Sequence, residues 1–387
     1  MQSGQPDLDA KANHHQQYYS GIQVNLSPLE PSAADTALLS GLINNLGDCY
    51  EPDCCPLPNT MAEEREAVET VAAWLSLPSR ECWGYIGGGS TLGNLQGMWM
   101  GSTLVSDATL VFSEAAHYSV PKAANLLGFS RVKVVRTQAT GQIDVEDLSQ
   151  KIEPGESVVL VLTAGTTMTS AYDNVEQCID VLKRKACKYY LHLDAALGGL
   201  IVPFVDARDM PNCAEFSFQN KSISSMTISA HKVLGTPMPA NVFVSRQAVA
   251  DQFKDAVGAI PYLSDLKDTT LYGSRDGFRA AIVLSRLRAV GFPRLKASVQ
   301  NSLRNAQWLA EALRYQGMAD AFCVAGGLAV VVPLASFERA LSARGQRFLT
   351  DKYRLVRDRN VIHMYVMAHI SRTICEEFAS DCAALRA

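Results

Sequence analysis

The sequence predicts an α/β protein: a mostly parallel sheet in a large domain, followed by a small C-terminal α+β domain. Three observations carry this. From Trp83 to Ser245, short β-branched runs alternate with stretches of helical period. The chemically unusual residues (glycine clusters, histidines, an aspartate and a lysine) fall where those runs end. The chain has 387 residues, 48% hydrophobic and 19% charged, enough for one large α/β domain and a smaller one.

Residues 1–20 are polar and lack the apolar core of a secretory signal. Leu38, Leu39, Leu42, Ile43 and Leu46 recur at helical spacing and predict a helix over 36–46. Residues 48–59 hold three prolines and three cysteines and predict an irregular loop. An acidic first turn (Glu63, Glu64, Glu66) followed by Val68, Val71, Ala72 and Leu75 predicts a helix over 61–75. A glycine-rich turn over 84–89 opens a helix over 91–103. Strands are then expected over 109–112, 132–135, 158–163, 189–193 and 225–229, with helices over 118–127, 145–151 and 175–185. A further strand over 241–245 is expected to run antiparallel after the turn at Pro237 and Pro239. Residues 253–277 form a polar connection, and helices follow over 278–290 and 297–316. A strand over 328–333, a short helix over 337–344 and a strand over 361–367 complete the pattern. The expected division is an N-terminal segment 1–45, a large domain 46–285 and a small domain 286–387.

The net charge of −4 implies no nucleic-acid partner. No apolar run approaches the ~18 residues a membrane span needs. The ten cysteines include no CxxC pair, which points to reduced thiols and a cytoplasmic location.

In sheets of this kind ligands gather at the carboxyl ends of the strands. The segment Ser229-Ala230-His231-Lys232 follows one such strand, and Gly235 and Pro237 stop a helix. A lysine at the end of a buried strand is poorly solvated, which favours the nucleophilic amine. That amine suits a Schiff base with an aldehyde cofactor such as pyridoxal 5'-phosphate; the plainer alternative is a surface lysine. The turn Gly87-Gly88-Gly89-Ser90-Thr91 can bring backbone and the Ser90 and Thr91 hydroxyls to an anion, or be an ordinary strand-to-helix turn. His117 sits between strand and helix, where its ring can stack on a flat cofactor or cap the helix. Asp194 ends a strand and is followed only by small residues. A buried carboxylate needs a partner, and a protonated pyridine nitrogen is one, with Ala196 leaving room for the ring; a helix-capping aspartate is the alternative. Gly165-Thr166-Thr167 places hydroxyls at another strand end or forms a hydroxyl-braced turn.

Taken in order, these stretches resemble the group II amino-acid decarboxylases that use pyridoxal phosphate, of fold type I. The similarity is greatest to bacterial histidine decarboxylases and plant serine decarboxylases. It rests on Asn44-Asn45-Leu46-Gly47-Asp48, Trp83-Gly84-Tyr85, Thr91-Leu92-Gly93-Asn94, His117-Tyr118-Ser119-Val120, Gly165-Thr166-Thr167, His192-Leu193-Asp194-Ala195-Ala196, Ser229-Ala230-His231-Lys232 and Gly273-Ser274-Arg275-Asp276-Gly277. The resemblance implies that Lys232 carries the cofactor, Asp194 pairs with its ring nitrogen and His117 stacks on the ring. Ser90, Thr91, Ser229 and His231 surround the phosphate, Ala196 packs under the ring and Thr166 lies near it. It also implies a homodimer with the active site at the interface, where Ser274 serves the phosphate of the partner subunit. The family has an acid where this chain has Leu92. Pro58-Asn59-Thr60 is closer to the Leu-Asn-Ser of the histidine enzymes than to the His-Ser-Arg of the serine enzymes. The connection over 259–277 is expected to be a lid, with Tyr262 first and Tyr272 second as donors of a proton to Cα; the alternative is that both rings anchor the loop. The activity implied is α-decarboxylation of an L-amino acid. Oxidative deamination or elimination on the same scaffold, or cofactor binding without turnover, are the alternatives.

Overall fold

The structure is a computed structural model, and it describes residues 17–27, 37–51, 57–261, 267–358 and 360–386. The chain forms two compact units. One comprises Leu29–Thr166 and Ala171–Lys296, the other Met1–Pro28, Thr167–Ser170 and Ala297–Ala387.

In chain order the strands of the first unit are β1 (Asn44–Leu46), β2 (Cys82–Gly87), β3 (Thr109–Ser113), β4 (Val132–Val135), β5 (Ser157–Thr163), β6 (Lys188–Asp194), β7 (Ser225–Ser229), β8 (Asn241–Arg246) and β9 (Ser274–Asp276). Its helices are α1 (Met61–Trp74), α2 (Ser90–Leu104), α3 (Ser119–Leu126), α4 (Val145–Lys151), α5 (Val175–Arg184) and α6 (Gln247–Ala256). Helix α7 (Gly277–Tyr315) begins here and is broken at Gly291, whose φ of 65° interrupts the helical path two residues before Pro293.

Seven strands make one sheet in the order β2-β8-β7-β6-β5-β3-β4. Only β8 runs against its neighbours; the other pairings are parallel. The carboxyl ends of β2, β3, β5, β6 and β7 therefore lie along one edge, which gathers Gly87, Ser113, Thr163, Asp194 and Ser229. The central strands are buried along nearly their whole length, as expected where helices cover both faces.

Helix α2 lies unusually close to this sheet. Gly93, Gly97 and Gly101 recur every four residues and form one face without side chains. A Cβ at Gly97 would fall 2.6 Å from Cγ of His192 in β6, and one at Gly93 would fall 2.6 Å from Cβ of Thr227 in β7. At Gly101, further from the strand ends, the nearest atoms of Tyr190 and Val159 would be 3.0 Å away.

Strands over 109–246 fall within a residue or two of their expected places. The segment expected as a helix over 36–46 does not form one in its described part. A single 3-10 turn, Leu38–Ser40, gives way to β1, which pairs antiparallel with β9. Long-range pairing overrides the local apolar spacing: Leu42 stays 73% exposed, while Asn45 is buried and ties β1 to Thr60 and Glu64. The connection expected over 253–277 contains the end of α6, which buries Ala250 and Phe253.

The second unit holds β10 (Ala329–Pro333), β11 (Val356–Asp358) and β12 (Val361–Tyr365) in the antiparallel order β10-β12-β11, with α8 (Leu334–Ala340), α9 (Ala343–Tyr353) and α10 (Arg372–Ala384). Leu309, Leu313, Phe337, Leu349, Tyr353 and Phe378 fill its core. Ser20 joins this unit by accepting from the Tyr365 amide at 2.7 Å and donating to the Tyr353 carbonyl at 3.1 Å. Among the described residues no helix is long and apolar enough to cross a membrane.

Candidate active site

Three residues singled out in the sequence meet at the strand ends. Asp194 closes β6, opposite Thr163 of β5 and Thr227 of β7. It is 3% exposed. Its Oδ2 accepts from Asn94 Nδ2 at 2.8 Å and its Oδ1 from the Ala196 amide at 3.1 Å. These bonds offset part of the cost of burying the charge. Lys232 lies in the turn after β7, which the Gly235 amide closes on the Ala230 carbonyl at 2.9 Å. Lys232 keeps some exposed surface, but its amine end is enclosed. Desolvation lowers its pKa to about 8, opposed by the Asp194 charge. His117, between β3 and α3, is half-buried. Burial lowers its pKa, Asp194 opposes that shift, and Lys232 and Lys122 add to it. The His117 Nδ1 lies 2.8 Å from Ser119 Oγ and accepts from the Ser119 amide at 3.3 Å.

The glycine turn differs from expectation. Its Gly88 and Gly89 amides are not open to an anion: they donate to Tyr272 Oη and to Asn241 Oδ1, each at 3.0 Å. Gly89, with φ of 130°, is the N-cap of α2 and offers no capping side chain. The positive end of α2 therefore faces the strand ends uncapped, with Ser90 and Thr91 in its first turn. Ser90 Oγ lies 2.7 Å from Ser229 Oγ at the end of β7 and accepts from Thr227 Oγ1 at 3.3 Å. His231 packs its Nδ1 against the Ala240 backbone, 3.2 Å from the carbonyl, and burial lowers its pKa. Ala196 is the one partly exposed residue in the otherwise buried run 191–200. Thr166, 2% exposed, uses its Oγ1 to accept the Ala171 amide at 2.9 Å, the hydroxyl-braced turn named as the alternative.

Ser274 is exposed in β9 and its Oγ accepts from Asn44 Nδ2 at 3.2 Å. Tyr262 lies outside the described residues. Tyr272 stands edge-on to Tyr85, with its hydroxyl on the glycine turn. Thr60, which stands where the histidine enzymes have a serine, is 5% exposed and donates to the Gly277 carbonyl at 2.6 Å.

Sequence reading missed the residues that brace this edge. Glu64 and Arg275 form an ion pair at 2.9 Å with each side chain only 1% exposed. Glu64 Oε1 also accepts the Ile86 amide of β2, and Arg275 donates to the Gly47 carbonyl. Asn94 and His192 stood inside quoted motifs but drew no separate attention. The only signal for either was a polar residue in an apolar run.

These residues fit pyridoxal phosphate. The set comprises an uncapped helix start with two serine hydroxyls for a phosphate, a buried carboxylate for a protonated ring nitrogen, and an amine of lowered pKa for the aldehyde. A type I sheet carrying that set defines a pyridoxal phosphate enzyme. Residues 94–338 match the pyridoxal-dependent decarboxylase conserved domain, and the chain belongs to that family. The chain is 33% identical to a histidine decarboxylase of Morganella morganii over 299 residues, 76% of each chain. It is 32% identical to one of Klebsiella aerogenes over 335 residues, 84% of this chain and 82% of the other. Among solved structures, L-methionine decarboxylase from Streptomyces sp. 590 shares the fold with a TM-score of 0.82 at 20% identity, covering 97% of this chain and 93% of that one. The protein is thus a carboxy-lyase that uses pyridoxal 5'-phosphate and acts on an amino acid.

Proposed function

We propose that the substrate is L-histidine, that carbon dioxide and histamine are the products, and that Lys232, Asp194 and His117 form the catalytic centre. The observation that supports the placement is the gathering of these three groups at the carboxyl edge of the sheet, after β3, β6 and β7, where Asp194 acts electrostatically on both Lys232 and His117. The choice of histidine rests on the histidine decarboxylases of Morganella morganii and Klebsiella aerogenes, each more than 30% identical.

Bound pyridoxal phosphate supplies an aldehyde for the substrate amine and a cationic ring that withdraws electrons from the bond to the carboxylate. Lys232 supplies the amine that holds the cofactor and gives way to substrate. Asp194 holds a proton on the pyridine nitrogen, and the Asn94 and Ala196 donors orient its carboxylate for that contact. His117 covers one face of the ring, and Ala196 leaves space at the other. Ser90, Thr91, Ser229 and His231 anchor the phosphate at the start of α2. Thr166 borders the ring and keeps its turn closed. Tyr262 delivers the proton to Cα from the connecting loop, and Ser274 completes the phosphate site of the partner subunit in a homodimer.

The test is release of carbon dioxide from purified, cofactor-loaded protein with each amino acid in turn. L-Histidine is expected to give the highest kcat/KM, with histamine as the product. A faster release from another amino acid overturns the choice of substrate. No release from any amino acid overturns the assignment of the centre.

A further inference from the structure

We propose that Asn94 is a positioning residue that fixes the ionised carboxylate of Asp194 and the Nε2–H tautomer of His117 through two directed hydrogen-bond arms. The proposal rests on the reading of Asp194 and His117 as cofactor contacts.

Asn94 sits in the first turns of α2 and is fully buried. Its amide touches three side chains: Asp194 Oδ2 at 2.8 Å, Ser119 Oγ at 2.9 Å and His192 Nε2 at 3.0 Å. Chemistry assigns the direction of every bond. An ionised carboxylate only accepts, so the amide nitrogen of Asn94 faces Asp194. Its carbonyl oxygen then faces His192, which must carry its proton on Nε2. Complete burial pushes the pKa of His192 down to about 4, so the ring is neutral and its Nδ1 accepts. Ser225 Oγ, 2.8 Å from that Nδ1, donates to it and in turn accepts from Tyr190 Oη at 2.7 Å. Tyr190, Ser225 and His192 thereby lock the amide of Asn94 against flipping.

The second amide proton of Asn94 goes to Ser119 Oγ. With Asn94 held on one of its lone pairs, Ser119 Oγ keeps its own hydroxyl proton to donate, and His117 Nδ1 lies 2.8 Å away. The Ser119 amide points at the same Nδ1 from 3.3 Å. Two donors on one nitrogen make it an acceptor, which leaves the His117 proton on Nε2. One buried amide thus sets both the charge partner and the ring partner of the cofactor. The packing leaves no slack, because His192 lies against the bare face of Gly97.

The test uses the holoenzyme labelled with 15N-histidine, in which ring nitrogen shifts report the tautomer directly. Loss of the His117 signals in a His117→Gln variant assigns them. Wild-type protein is expected to show His117 solely as Nε2–H. Ser119→Ala removes one hydroxyl and should leave His117 a mixture of tautomers while cofactor retention changes less than about twofold. Asn94→Ala removes both arms and should mix the tautomers and weaken retention of pyridoxal phosphate by about tenfold or more. His117 solely as Nε2–H in both variants, with retention equal to wild type in Asn94→Ala, overturns the proposal. If Asn94→Ala does not fold, Ser119→Ala still decides the His117 arm and Asn94→Ser the Asp194 arm. A kcat within tenfold of wild type in Asp194→Ala would overturn the reading of Asp194 as a cofactor contact, and the tautomer of His117 would still judge Asn94.

Discussion

A lysine with a pKa of about 8 has roughly a tenth of its amine uncharged at pH 7, against about one part in three thousand at the ordinary value of 10.5. Desolvation at the end of β7 supplies that difference, and Asp194 limits it. Attachment of pyridoxal phosphate to cofactor-free protein should therefore accelerate with pH and level off above about 8, followed by absorbance. A rate that climbs without a plateau to pH 10 would show that Lys232 titrates normally. Borohydride should trap the cofactor on the peptide containing Lys232, and Lys232→Ala should abolish that adduct. At Asp194 the prediction concerns rate. Asp194→Ala removes the counter-charge that keeps a proton on the ring, so kcat should fall by about three orders of magnitude, or ~4 kcal/mol of barrier. A kcat within tenfold of wild type would refute the role of Asp194. Lys232, Asp194 and His117 were legible in the sequence because each interrupts or ends an apolar run with a group that is costly to bury unpaired. The occupied amides of Gly88 and Gly89 were not, because their partners Tyr272 and Asn241 arrive from more than a hundred residues away.

Among elements, α1, β2 and β9 are joined by one buried ion pair. Glu64 of α1 accepts from Ile86 in β2 and binds Arg275 of β9, whose guanidinium also lies 5.1 Å from the centre of the Tyr85 ring. Removing one partner strands the other charge, so Arg275→Ala should cost about 3–5 kcal/mol of unfolding free energy. Arg275→Lys should recover little of it, because an ammonium cannot match the two-pronged contact with Glu64. Urea denaturation measures both, and a loss below 1 kcal/mol in Arg275→Ala would contradict the bracing role. In sequence Glu64 reads only as one acid in the acidic first turn of a helix. The information that buries it lies at Arg275, in another element. β1 has the same character: it is a strand only because β9 pairs with it. The strands β3, β5, β6 and β7 were legible because parallel strands covered on both faces require continuous apolar runs, a local signature.

For the whole molecule, the proposed homodimer carries its own prediction. Tyr118, adjacent to His117, is 64% exposed in the single chain, and Leu126 on the same helical segment is 69% exposed. Large exposed apolar side chains on the segment that follows His117 fit a surface covered by a second copy. Light scattering coupled to size exclusion should give about twice the chain mass of 42.0 kDa. A mass of one chain at working enzyme concentration would exclude the shared site, and with it the role of Ser274.

The bare face of α2 has a consequence for how freely this gene can drift. Any single-base change in a glycine codon that alters the amino acid installs at least a Cβ or ends the chain. At Gly93 and Gly97 that atom falls on Thr227 and His192, which are held from several sides. At Gly101 the 3.0 Å approach leaves room for a small shift of Tyr190 or Val159. A saturation library selected for activity should therefore return no survivors but glycine at 93 and 97, and a few alanines or serines at 101. The freedom to vary would open along the helix with distance from the strand ends, and recovery of bulky residues at 97 would show that the helix can lift away.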